Sequence, residues 1–135
     1  MNRYEQLMHN SLLSKLRIAQ FLVALAIYTS LLLMPDSGLG GGDMKNFALH
    51  ALGNCLLMLS TWTASGGRFK SVAPAIFVIP FSLFIELAQG LTDNRTPELI
   101  DIAANFCGVF VGIIACKIAN TVIINPLKKT KVEQP

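Results

Sequence analysis

Four polar side chains stand where the chain is otherwise suited to oil: Glu86, Gln89, Asp101 and Asn105. They fall at or inside the ends of two apolar runs, residues 71–90 and 99–124, and Arg95 lies in the polar stretch between them. Two neighbouring carboxylates can divide the work of a general acid and a general base, one donating a proton while the other accepts. An arginine beside them offers a planar fork that fits a phosphate or carboxylate group. Upstream, the text DMKNFALHALGN adds Asp43, His50 and Asn54. Glu86 and Asp101 are accordingly the acid/base candidates, with His50 as an auxiliary base. Arg95 is the anion clamp, and Gln89, Asn105, Asp43 and Asn54 are hydrogen-bonding groups of a binding pocket. A histidine with two carboxylates is also a plausible divalent-metal set. There is, however, no HExxH or comparable local pairing, so the sequence assigns no metal and no cofactor. Ser82 sits one turn below Glu86, but a helical serine commonly bonds its own backbone. Cys107 has no evident activating partner, so neither is read as a nucleophile.

These residues act together only if helices carry them to one place. An α-helix turns about 100° and rises about 1.5 Å per residue. In a helix beginning by Asp43, Asp43, His50 and Asn54 fall within about 40° of each other. Ser82 and Glu86 are four apart and Gln89 follows three later, which keeps them on one face. Asp101, Asn105, Gly108 and Gly112 form a single stripe, and its GxxxG pair lets another helix approach closely. The polar residues of the last run therefore lie on its packed face. His50, Glu86 and Asp101 also fall at one depth, each about a turn or less from the same end of its run. An ionised side chain at mid-bilayer costs roughly 2.5–3.5 kcal/mol on insertion scales, and less near an interface. Several on converging faces imply a shared polar pocket open to the outer side.

Composition supports a membrane setting. The chain is 53% hydrophobic and only 14% charged, against about 25% charged in an ordinary soluble domain. The reading is an all-α, integral membrane bundle of four transmembrane helices in one domain, over about 16–35, 46–65, 71–90 and 99–124. A polar C-terminal tail, 125–135, follows. The first run is too long for a signal-peptide core. The Gly-rich stretch 38–42 reads as a loop, and Trp62 as an interfacial anchor. The three cysteines, Cys55, Cys107 and Cys116, show no CxxC spacing and read as small packing residues. Lys and Arg mark the cytoplasmic side. With four spans, Arg3, Lys15, Arg17, Arg68, Lys70, Lys128, Lys129 and Lys131 gather on one side, leaving Lys45 and Arg95 on the other. Both termini are expected to be cytoplasmic. No basic stripe interleaved with aromatics is present, which excludes nucleic acid as a partner.

The run ELAQGLTDNRTPELIDIAANFCGVFVG resembles the signature of VanZ-like membrane proteins. It has Glu86 and Gln89 as Glu-x-x-Gln, then Arg95 in Arg-Thr-Pro, Asp101, Asn105, and Gly108 with Gly112. Upstream, the family often has Asp-Lys followed closely by His. Here one residue separates Asp43 from Lys45, and four separate Lys45 from His50. The resemblance spans roughly 43–114. It implies a multi-pass protein of the bacterial cytoplasmic (inner) membrane, in a family linked through its founding members to glycopeptide (teicoplanin) antibiotic resistance. The functional expectation is a cell-envelope protein whose outward-facing pocket binds or acts on a lipid-linked or surface molecule, an envelope precursor for example. Whether it is an enzyme stays open at this point. Two other readings stand beside it: a small transporter or proton-coupled permeation unit, and a non-catalytic assembly subunit. In the last, GxxxG would support a homo-oligomer.

Overall fold

A computed structural model describes residues 1–33, 42–91 and 99–130; for Gly42 and Asp43 only the backbone is described. The described residues are helical, with no strand. Helix α1 covers Arg3–His9, α2 Ser11–Leu33, α3 Gly42–Ala64, α4 Ala75–Gln89 and α5 Leu99–Ala119. A π-helical turn, Asn120–Ile124, joins α5 to the short α6, Asn125–Lys129. Helices α2 and α5–α6 are long and apolar enough to cross a membrane by length and composition; α4 is apolar but shorter. Four membrane crossings thus remain an expectation, while the all-α architecture is observed.

The boundaries differ from the sequence reading for local reasons. Asn2 and Glu5 form a reciprocal capping box, each backbone N–H donating to the other's side chain at 2.8 Å, which starts a helix too short to show as an apolar run. Asn10 Oδ1 accepts from Leu13 N at 3.1 Å, so α2 begins at Ser11 rather than near residue 16. The third run loses its first turn because proline disfavours helical backbone in the residue before it and cannot itself donate. Residues 71–74 form tight turns, and α4 starts at Ala75 after Pro74. At the other end, the expected polar tail continues as helix through Lys129, with Pro126 in the first turn of α6, where it is tolerated.

Helix α3 makes its largest contact with α5 and a second with α2; α4 packs mainly on α5, with smaller contacts on α2 and α3. The four long helices thus form a ring in the order α2, α3, α5, α4. Its core is Tyr28, Leu32, Leu57, Met58, Val78, Ile85 and Val109. Phe77 stacks on Phe81 at 5.5 Å and meets Phe21 edge-on at 5.8 Å, which packs α4 against α2. Gly66 and Gly67 turn the chain out of α3 with φ of 67° and 70°, a conformation that favours glycine. Trp62, expected at an interface, is instead buried and donates to Phe69 O at 3.3 Å across that turn. Among the cysteines Cys116 is buried and Cys55 half-buried, but Cys107 faces outward and packs no core.

The outside of the ring is apolar, and polar side chains are buried within it. Leu22, Val23, Leu52, Leu56, Phe84, Leu87, Phe110 and Ile118 are exposed, whereas His50, Asn54, Ser82, Glu86, Gln89, Asp101 and Asn105 are buried. That inversion is unfavourable in water and favourable in lipid.

Candidate functional site

His50 enters from α3, Glu86 from the last turn of α4 and Asp101 from the first turn of α5. All three lie at the end of the bundle opposite α1 and α6. They are 1%, 3% and 7% exposed. His50 Nε2 stands 3.8 Å from Asp101 Oδ2, and His50 Nδ1 stands 4.0 Å from Glu86 Oε2. One ligand-capable atom from each lies within 4.8 Å of the others. Three helices thus bring an imidazole and two carboxylates together.

Asn54 and Asn105 organise the histidine. Asn54 Nδ2 lies 2.9 Å from His50 O. A carbonyl only accepts, so that contact fixes which way the amide faces. The same nitrogen is 2.7 Å from Asn105 Oδ1 and 3.0 Å from Tyr28 Oη. Asn105 Oδ1 is therefore an acceptor. At 3.0 Å from His50 Nδ1, it requires Nδ1 to carry the hydrogen. In the neutral ring that leaves the lone pair on Nε2, the nitrogen facing Asp101. His50 Nε2 and Asp101 Oδ1 are both buried without a hydrogen-bond partner among the described residues.

Close helix approach makes this possible. A Cβ at Gly108 would strike the backbone oxygen of Ala51, and one at Gly112 would stand 2.6 Å from Met58 Cβ. The two glycines let α5 lie against α3, which sets Asn105 beside His50 and Asn54. The GxxxG face is thus occupied within the chain. Gln89, expected to line the pocket, donates to Leu32 O at 2.6 Å and ties α4 to the end of α2. Ser82 Oγ donates to Ile79 O at 3.1 Å, within its own helix. Arg95 and the side chain of Asp43 lie outside the described residues.

A match to the VanZ/LLP1 family covers residues 4–120. The chain belongs to the VanZ/LLP1 family. Neither the curated proteins nor the solved structures include a match. The VanZ/LLP1 match begins inside α1 and so takes in α2, which the resemblance read from the sequence did not reach. Tyr28, on α2, extends the polar network of this VanZ/LLP1 site to a fourth helix. Nothing in the sequence reading singled it out. The available signal was a tyrosine near the cluster end of an apolar run. A second α2 contact, Ser60 Oγ donating to Gln20 Oε1 at 2.9 Å, was also missed.

An apolar groove lies elsewhere. It measures about 380 Å³, runs between α2 and α3, and is lined mainly by apolar side chains with Gln20, Tyr28 and Ser60 among them. Tyr28 belongs to both places: its ring walls the groove and its hydroxyl accepts from Asn54.

Proposed function

We propose that this chain is a multi-pass protein of the cell envelope that binds the polar head of a lipid-linked or surface molecule at His50, Glu86 and Asp101. The observation that carries the proposal is the convergence of three buried ionisable groups, from three helices, at one end of a bundle whose outer surface is apolar. In this reading the bundle crosses the cytoplasmic membrane four times, with both termini inside and the cluster at the outer face. Arg95, which the sequence places between α4 and α5, is the candidate clamp for an anionic head group. Glu86 and Asp101 are the acid/base pair if the bound molecule is converted. The α2–α3 groove suits a hydrocarbon chain, and Tyr28 joins it to the cluster.

Permeation is less well supported. Below the cluster the core is Leu57, Met58, Val78 and Val109. Thr61 and Thr63 spend their hydroxyls on Leu57 O and Leu59 O of their own helix. No polar line leads through the described core.

The test is thermal stabilisation of the detergent-purified protein by polyprenyl diphosphate, with neutral polyprenol as control. The wild type should be stabilised by the anionic lipid alone. Glu86→Gln, Asp101→Asn and Arg95→Gln should fold but respond at least tenfold less sensitively. An equal response from all four proteins, or none from the wild type, would remove this reading. The glycopeptide link implied by family resemblance adds a cellular readout. Teicoplanin tolerance should rise on expression of the wild type and not of Glu86→Gln.

A further inference from the structure

We propose that His50, Glu86 and Asp101 form a site for one divalent transition-metal ion, Mn²⁺ or Zn²⁺. The site coincides with the proposed head-group site but does not depend on what that head group is.

Four observations lead to it. First, the spacing suits ligands better than partners. At 3.8 Å the contact between His50 Nε2 and Asp101 Oδ2 is too long for a hydrogen bond. Two ligand atoms on one ion, each about 2.1 Å away at the tetrahedral angle, stand roughly 3.4 Å apart. From a mutual limit of 4.8 Å, closing on an ion requires each atom to draw in by at most about 0.7 Å. Second, the tautomer is set for ligation. Nδ1–H is committed to Asn105 Oδ1, and the Nε2 lone pair faces the Asp101 carboxylate with no donor between them among the described residues. A cation between two electron-rich atoms so placed and so buried would stabilise both. Third, the support resembles that of a metal-bound histidine, whose second nitrogen characteristically donates to an oxygen that is itself held. Here Asn105 is held by Asn54, and Asn54 by Tyr28. Fourth, the helix ends act unequally. The start of α5 favours negative charge at Asp101, while the end of α4 opposes it at Glu86. A cation between them offsets that opposition.

One imidazole and two carboxylates favour an ion that accepts both nitrogen and hard oxygen. That selects Mn²⁺ or Zn²⁺ over Mg²⁺ and Ca²⁺. Three protein ligands leave coordination positions open for water or a head-group oxygen. The sequence assigned no metal because it shows no local ligand motif, and these ligands come from three separate helices.

The experiment uses the full chain in detergent, stripped with chelator and then titrated with Mn²⁺, Zn²⁺, Mg²⁺ and Ca²⁺. Metal content and melting temperature are read together. The expected result is about one Mn²⁺ or Zn²⁺ per chain, with at least tenfold weaker Mg²⁺ and Ca²⁺. Asp101→Asn and His50→Gln should weaken binding at least tenfold, and Asn105→Ala, which keeps all three ligands, should lie between. Should the ligand variants fail to fold, electron-spin-echo spectra of Mn²⁺ on the wild type decide, since one imidazole nitrogen must modulate them. Absent nitrogen modulation, no bound metal, or equal binding by wild type and folded variants would overturn the site in favour of an imidazolium–carboxylate ion pair. Stripped protein that still responds to polyprenyl diphosphate would leave the proposed function standing.

Discussion

At the scale of single residues, the cluster is stabilised by what surrounds it. Asn54 serves as a hub because one amide nitrogen meets a backbone carbonyl, a side-chain carbonyl and a phenol. Tyr28→Phe removes only the phenol and should cost about 1 kcal/mol, the net worth of an ordinary hydrogen bond. Asn54→Leu also removes the amide contacts to His50 O and Asn105 Oδ1 and should cost at least twice that. Denaturation in detergent would separate the two. Glu86, Asp101, His50, Asn54 and Asn105 were legible in the sequence because depth set His50, Glu86 and Asp101 on one level and helical periodicity set Asn54 with His50 and Asn105 with Asp101. Tyr28 was not, because a tyrosine within a hydrophobic helix has many ordinary uses and its partner comes from another helix. The donor–acceptor order among His50, Asn54 and Asn105 was out of reach for the same reason. It depends on which atoms meet, and spacing along a chain does not specify that.

At the scale of helices, the apolar runs gave the number and order of the long elements. Their ends were set by residues that periodicity ignores: Asn10 starts α2 early, and Pro74 starts α4 late. The GxxxG stripe was legible as a packing face, but the identity of its partner was not. Gly108 and Gly112 lie against Ala51 and Met58 of the same chain. Gly108→Leu should therefore abolish the folded monomer, losing 4 kcal/mol or more through overpacking and separation of α3 from α5. Phe106→Ala, on the exposed face of the same helix, should change stability by less than about 0.5 kcal/mol. Circular dichroism with size-exclusion chromatography distinguishes this from an assembly role, in which Gly108→Leu would leave a folded monomer and abolish only a complex.

At the scale of the whole molecule, the two ends of the bundle are unlike. One end holds the buried polar cluster. At the other, Arg3 N donates to Thr130 O at 3.1 Å, and Lys128 Nζ lies 4.9 Å from the Tyr4 ring. Helices α1 and α6 thus meet on one side of the protein. Protease-cleavable tags on the two termini should be cut together in inverted vesicles and spared together in right-side-out cells. Opposite accessibility would contradict an even number of crossings. The brevity of α4 has a consequence of its own. Fifteen residues extend only about 22 Å along a helix axis, against a hydrocarbon layer of about 30 Å. In the proposed four-span arrangement, a bilayer around such a helix would be drawn thin on one flank, and hydrophobic mismatch of this kind carries a modest cost for each ångström. Because α4 ends at the cluster, thinning there brings the headgroup region, with its water, down toward Glu86. Acyl-chain length then becomes a control on access: in reconstituted vesicles, head-group binding should strengthen as the lipids shorten, with no change to the protein at all.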